Sequence, residues 1–315
     1  MSRARTKLKT SAVGAIFAGD QWPRLRRSVL YRLGVDPGAY EAAATFHPDV
    51  LLFELEDSVP PGDKDTARAR VVKALKAGGF ARQEKLVTVN GLNTPWGHDD
   101  LAALATAGAD GIMLAKTESA DMVRAAEVVL VAHGASSALR LWALIETPRG
   151  LAQVQEIARA SARLAGLAVG LGDLSRGLNA FRRPAPNRWP MLPALAAVVL
   201  AARANGLAVL DSSFREPRDK AGFRAACLES RELGFDGKVF EIPALIEVAN
   251  EAFSPTGEEV AWALKVVAAK GLAPPNGEYY VNGQHIDLPY EGLAERILAF
   301  NRAANPSPAK PASSP

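Results

Sequence analysis

"LWALIETPRG", residues 141–150, begins as an unbroken apolar run and ends in a carboxylate, a proline and an arginine. Continuous rather than alternating hydrophobicity marks a strand covered on both faces, and sheets covered on both faces are usually parallel. Such a strand must deliver Glu146 to a place where its charge is solvated, paired or bound to a metal, because an ionised carboxylate buried alone is costly or takes up a proton. Pro148 ends the strand or opens the next helix, Arg149 can pair with a neighbouring acid, and Gly150 permits a tight turn.

Seven more runs read the same way: "SVLYRLG" (28–34), "DVLLFELED" (49–57), "KLVTVNG" (85–91), "GIMLAKTE" (111–118), "LAGLAVGLGD" (164–173), "LAVLDSSF" (207–214) and "GKVFEIP" (237–243). Between them, segments such as "KDTARARVVKALKAG" (64–78), "SADMVRAAEVVLVAHG" (119–134) and "KAGFRAACLESRELG" (220–234) carry apolar residues at three- and four-residue spacing and close on glycine, as helices do. Eight strands alternating with helices over about 250 residues predict a TIM (β/α)8 barrel. The rival, a doubly wound open sheet, lacks its Gly-rich dinucleotide loop after the first strand. The division this implies is a basic N-terminal tail (1–26), a barrel (27–250), a C-terminal helical extension (251–303) and a disordered Pro-, Ser- and Ala-rich tail (304–315).

Bulk properties exclude several function classes. A hydrophobic content of 48%, a charged content of 23% and a formal charge of +3 over 315 residues are those of an ordinary globular protein and call for no nucleic-acid partner. No run approaches the roughly 18 apolar residues of a membrane span. "SAVGAIFAGD" (11–20) is a weak signal-peptide core, short and without a clean cleavage site, so a cytoplasmic location is expected. The single cysteine, Cys227, allows no intramolecular disulfide and reads as a packed helical thiol.

The polar residues collect at the carboxyl ends of the runs: Glu56 and Asp57, Asn90, Lys116 and Glu118, Glu146, Asp173, and Asp211. In a barrel these ends converge on one mouth, where sites of this fold are built. Glu146 and Asp173 end neighbouring strands and can share one cation; two carboxylates, with water and substrate oxygens in the remaining positions, are a typical Mg²⁺ set. The same pair also reads as two caps for the loops that follow. His47, His98, His133 and His285 show no ligand spacing.

Taken in order, "RSVLY" (27–31), "LEDSVPPGDKDTAR" (55–68), "VNGLNTPWGHDDL" (89–101), "KTES" (116–119), "IETPRG" (145–150), "GDL" (172–174), "LGFDGK" (233–238) and "IDLP" (286–289) resemble the HpcH/HpaI aldolase/citrate lyase family, that of citrate lyase beta subunits and malyl-CoA lyases. The resemblance implies a pyruvate/phosphoenolpyruvate-type barrel, homo-oligomeric as a trimer or hexamer. Its expected activity is Mg²⁺-dependent cleavage or formation of a carbon–carbon bond in a 3-hydroxyacyl-CoA or related hydroxy or oxo acid, so the partner is a small molecule, a CoA thioester among the candidates. Glu146 and Asp173 match the family's metal ligands, and Asp287 of "HIDLP" matches an acid/base aspartate on the C-terminal extension, which then serves as lid and oligomerisation element. Without the resemblance, Asp287 reads as a helix N-cap. Glu56 and Asp57 are expected to hold metal-bound water or orient the site, and Thr88, Asn90, Lys116, Arg149 and Arg32 to contact substrate.

The chain also departs from the family pattern. "VTVNG" has Thr88 where an arginine is usual, and a hydroxyl cannot replace a bidentate cation. "FEIPALI" has Ile242 and Leu245 in place of histidine and glutamine, and the first loop, "RLGVDPGAY", is altered. Arg32 or Arg149 is the expected compensation for the missing arginine. Hydrolysis of a CoA thioester on the same metal platform, or a non-catalytic ligand-binding barrel, is the alternative to a lyase. "RRPAPNRWPML" (182–192) reads as a contact for CoA phosphates or as a solvated insertion, and Trp96 as a packing residue.

Overall fold

All eight runs form strands: β1 (Ser28–Leu33), β2 (Val50–Glu54), β3 (Glu84–Val89), β4 (Gly111–Leu114), β5 (Arg140–Ile145), β6 (Leu164–Val169), β7 (Ala208–Asp211) and β8 (Gly237–Phe240). They pair in chain order, every pair parallel, and β8 closes onto β1 with Val29 beside Val239. This is the expected TIM barrel. Around it run α1 (Lys64–Ala77), α2 (Gly97–Leu104), α3 (Ala120–Ala132), α4 (Pro148–Ala152), α5 (Val154–Ile157), α6 (Leu171–Gly177), α7 (Leu192–Ala204), α8 (Lys220–Leu233) and α9 (Ile246–Phe253). The computed structural model describes residues 24–33, 45–80, 83–180, 188–214, 216, 218–271 and 279–305. The N-terminal tail through residue 23, most of the first loop, residues 182–187 of the Pro- and Arg-rich segment, the tail from residue 306 and the side chain of Arg32 lie outside the described residues.

Why the strands read as continuous apolar runs is plain from the two cores. Val29, Val50, Leu52, Leu86, Met113, Trp142, Ala168, Leu210 and Val239 fill the barrel, while the intervening residues, among them Leu30, Leu51, Phe53, Val87, Ile112, Leu141 and Val209, pack outward against helices. Both parities are buried, so no polar alternation is left to see. The amino-terminal end is plugged by Trp142, which is fully buried: Arg26 lies 5.1 Å from its ring centre and forks onto Glu84 at 2.5 and 2.9 Å. Gly166 makes the room, since a Cβ there would stand 2.2 Å from the Trp142 ring.

Asp211 corrects one expectation. Because Leu210 points into the barrel, Asp211 points out of it, fully buried, where it accepts from Lys238 at 2.6 Å, Arg188 at 2.6 Å and Ser230 at 2.5 Å. Lys238 and Arg188 hold its carboxyl well below the usual range against the opposing pull of burial. It is a structural ion-pair centre and not part of the mouth. Arg188, the described basic residue of the Pro- and Arg-rich segment, is thereby turned inward, with Glu229 as its second acidic partner at 2.8 Å.

Residues 254–305 belong to a separate compact unit, and residues 26–253 form the barrel unit. In the former, α10 (Gly257–Lys270) starts on a capping box between Thr256 and Glu259, and α11 (Leu288–Ala304) is capped by Asp287. An antiparallel hairpin, β9 (Tyr279–Val281) and β10 (Gln284–Ile286), joins the helices' core through Tyr279, Val281 and Ile286, packed with Ala263, Val266 and Ala294. The extension is therefore helical, as expected, with a small hairpin added. No helix among the described residues is long and apolar enough to cross a membrane.

Candidate active site at the barrel mouth

At the carboxyl ends of the strands lies a cavity of about 590 Å³. Strand alternation fixes what faces it: Tyr31 from β1, Glu54 from β2, Thr88 from β3, and Glu146 and Glu241 just past β5 and β8. Glu56, Asp57 and Ser58 enter from the loop after β2, and Asp173 and Arg176 from the first turns of α6.

Glu146 is the centre of this arrangement. Only 4% of its surface is exposed. One carboxylate oxygen accepts the backbone N–H of Lys116 at 2.8 Å, and Gly170 leaves space for the other, since a Cβ at that position would sit 2.4 Å from it. Burial pushes the carboxyl up to about 8; Lys116 opposes the shift and the charges of Glu56 and Asp173 add to it. Asp173 lies near enough to be felt, and accepts from Arg176 at 2.7 Å.

Lys116 links the two halves of the acidic cluster. Its backbone is left-handed, with φ +47°, a conformation uncommon outside glycine. That turn aims its N–H at Glu146 while its ammonium pairs with Glu56 and, at 2.8 Å, with Asp57. Although burial acts against it, the bonds to Asp57 and Glu56 hold the ammonium above its usual value. Glu56 is raised, chiefly by burial, and Asp57 is lowered by Lys116 and Glu56 against the effect of burial.

Sequence reading missed Glu54. It is 5% exposed, sits opposite Thr88 in the β2–β3 register, and accepts the Thr88 hydroxyl and the Glu56 backbone N–H. Burial first, then the charges of Glu56 and Glu146, push it up to about 8. The signal was present: in "LLFELED" the spacing Leu52, Glu54, Glu56 is one strand face running from the core into the mouth.

The remaining predicted contacts are distributed as follows. Thr88 lines the cavity, 2% exposed. Asn90 is buried behind the wall, donating to the Leu55 carbonyl at 2.9 Å and to Asp100 at 2.6 Å and accepting from Lys64 at 2.7 Å. Lys64 also donates to the carbonyls of Leu55 and Glu56, so this network anchors the loop that carries Glu56 and Asp57. Trp96 packs over the Lys64 ammonium. Arg149 is exposed, 3.9 Å from Glu118, and is not among the cavity's lining residues. Arg32 pairs with Phe53 through the β1–β2 register. Asp287, in the C-terminal unit, is exposed and accepts the Tyr290 N–H at 3.4 Å. Leu245 is buried, and Ile242 packs against the outer core. Among the described residues, no group of three or more His, Cys, Asp or Glu is arranged to hold a metal ion.

Known proteins resemble this chain in sequence and fold over most of its length. A (3S)-malyl-CoA thioesterase of Cereibacter sphaeroides (strain ATCC 17025 / ATH 2.4.3) is 37% identical over 284 residues, covering 87% of this chain and 96% of that protein. The citrate lyase subunit beta of Escherichia coli (strain K12) is 35% identical over 283 residues, covering 88% and 93%. The crystal structure of the protein CitE from Mycobacterium tuberculosis in complex with magnesium, acetoacetate and coenzyme A superposes with a TM-score of 0.69 at 29% identity, over 86% of this chain and 96% of that one. The model of the HpcH/HpaI aldolase/citrate lyase family matches residues 27–243, from the first barrel strand to just past the last, and the chain belongs to that family.

Proposed function

We propose that the protein is a Mg²⁺-dependent carbon–carbon lyase acting on a 3-hydroxyacyl-CoA or a related hydroxy or oxo acid, in the cleaving or the condensing direction. The observation that carries this reading is Glu146: a buried carboxylate, oriented by a backbone N–H and given space by Gly170, with Asp173 as its neighbour in an acidic cavity. Hard carboxylate oxygens suit Mg²⁺, and a two-carboxylate set leaves positions for water and substrate oxygens. The magnesium in the Mycobacterium tuberculosis complex supports the assignment. Bound by Glu146 and Asp173, Mg²⁺ supplies Lewis-acid polarisation and fixes the 2-oxo or 2-hydroxy acid end of the substrate.

The chain's own residues do the rest. Lys116 holds Glu146 in place through its N–H and keeps Glu56 and Asp57 turned toward the mouth through its ammonium. Glu56 and Asp57 are then the groups that orient water and substrate beside the metal pair. Cleavage needs a base for the substrate hydroxyl, and the likeness of residues 285–289 to the family's motif supports Asp287 in that role. A homo-oligomer and a cytoplasmic location complete the reading, supported by the family resemblance and, for the latter, by the single buried thiol, Cys227.

A second reading, hydrolysis of a CoA thioester, is favoured by the Cereibacter sphaeroides relatives, which are named (3S)-malyl-CoA thioesterases. Incubation with (3S)-malyl-CoA and Mg²⁺, followed by separate measurement of glyoxylate and free CoA thiol, tells them apart. The lyase reading expects glyoxylate and acetyl-CoA without thiol. Thiol and malate without glyoxylate would establish the hydrolase in its place.

A further inference from the structure

Two lysines grip the loop after β2 from opposite sides. On the cavity side, the Lys116 ammonium pairs with the carboxylates of Glu56 and Asp57. Behind the wall stands Lys64, the first residue of α1, 6% exposed and not among the cavity's lining residues. Its ammonium places one N–H on each of three oxygens: the Leu55 carbonyl at 2.9 Å, the Glu56 carbonyl at 2.7 Å and Asn90 Oδ1 at 2.7 Å. An ammonium has three donors, so none is left for a ligand. Asp100, fully buried, stands beyond Asn90. It accepts the Asn90 backbone N–H at 3.1 Å and the side-chain amide at 2.6 Å, which turns Oδ1 toward Lys64. Its other oxygen accepts from Arg68 at 2.7 Å.

We propose that Lys64 is a positioning residue for the reaction: it fixes the backbone of Glu56 so that the carboxylates of Glu56 and Asp57 meet Lys116 at the mouth, with Asn90 and Asp100 holding its ammonium in turn. The inference rests on the reading of Glu56 and Asp57 as the groups that orient water and substrate. The two carbonyls that Lys64 binds belong to the peptide groups on either side of the Glu56 Cα. Peptide groups are planar, so setting both planes sets φ and ψ of Glu56, and with them the direction of its side chain. Asn90 reaches the Leu55 carbonyl at 2.9 Å and the Val59 N–H reaches the Glu56 carbonyl at 2.9 Å, whereas Lys64 bridges both. A charged donor holds its acceptors more firmly than a neutral one, and burial strengthens such bonds. A buried ammonium in turn demands satisfied donors and a nearby counter-charge, which is the part of Asn90 and Asp100.

The test uses the full chain carrying Lys64→Met, which keeps a stem of similar length and removes the ammonium. Trace acetylation by acetic anhydride, read peptide by peptide, reports whether Lys116 still has its carboxylates. Released from them, Lys116 should react about ten-fold faster than in the wild type, because its ammonium gives up its proton more readily. Lys85, paired with Asp110 at 2.6 Å at the amino end of β3, should keep its wild-type rate. With (3S)-malyl-CoA at saturating Mg²⁺, counted as glyoxylate or as free thiol, kcat should fall about 10²-fold, the cost of a misplaced group. KM and Mg²⁺ affinity should hold; a fold that merely loosened would move them and Lys85 as well. Asp100→Asn, which removes the counter-charge and keeps the shape, should move both readouts in the same direction and serves if Lys64→Met does not fold. Wild-type reactivity of Lys116 in a folded variant overturns the proposal, and so does a full kcat where Glu56→Gln and Asp57→Asn are impaired. If those two variants keep full turnover, or the wild type turns over no substrate, the reading of the two carboxylates fails instead, while the acetylation rate still decides what Lys64 holds.

Discussion

At the scale of single residues, the chemistry turns on where carboxyls keep their protons. Glu146 and Glu54 are both raised to about 8 from an ordinary 4.5, burial being the first cause in each. The folded chain thus binds protons that the unfolded chain has released, so these two groups favour folding most below about pH 4.5, and that contribution is lost as pH climbs toward 8. A cation must displace the proton on Glu146, and its apparent affinity should rise with pH until that carboxyl is ionised. Titration of Mg²⁺ at pH 6.5 and 7.5 should show an increase approaching about ten-fold per pH unit, with proton uptake by the buffer, if one proton is released. A pH-independent affinity would place the cation elsewhere. Glu54, Thr88 and Glu146 differ in how readable they were. Glu146 stands out because a strand ends on it, whereas Glu54 is still inside its strand, and only the period-two face shared with Leu52 and Glu56 exposes it.

At the scale of elements, the eight runs were legible because each strand is buried on both faces, and a run of that kind between helical patterns has few other homes. The same property hides orientation. Nothing in "LAVLD" tells which parity faces the barrel, so Asp211 reads as a mouth residue although it lies on the helix side with Lys238 and Arg188. The hairpin of the C-terminal unit carries its own signal in the sequence: "VNGQ" places Asn282 and Gly283 at the turn, with φ +51° and +79°, the pair of positive values that a type I′ two-residue turn requires. The strand-end plug gives a prediction of its own. Gly166→Ala drives a methyl into the Trp142 ring and should destabilise the barrel by about 1–3 kcal/mol, measured by urea unfolding, because the packed interior has no slack to absorb it. An unchanged midpoint would mean that Trp142 does not fill the barrel end.

At the scale of the whole molecule, family membership explains why a motif order spanning nearly the entire chain was visible in the sequence, while the substrate was not. The motifs carry Glu146 and Asp173, the pair proposed to hold Mg²⁺, and Lys116, whose N–H orients Glu146. Of the departures, Thr88 lines the cavity, whereas Ile242 and Leu245 pack in the outer core, a difference that only side-chain geometry shows. The C-terminal unit offers the second test at this scale. Asp287→Asn keeps a good N-cap for α11, so folding should be preserved. Mg²⁺ affinity should hold while turnover falls by at least about 10²-fold, the usual contribution of a positioned acid or base. Full turnover in that variant would remove Asp287 from the mechanism. The most direct measurement is isothermal titration of Mg²⁺ into the wild-type protein and into Glu146→Gln, alone and with a 2-oxo acid. The account predicts binding that tightens with the 2-oxo acid in the wild type and disappears in a variant that remains folded; equal binding by both proteins would contradict it.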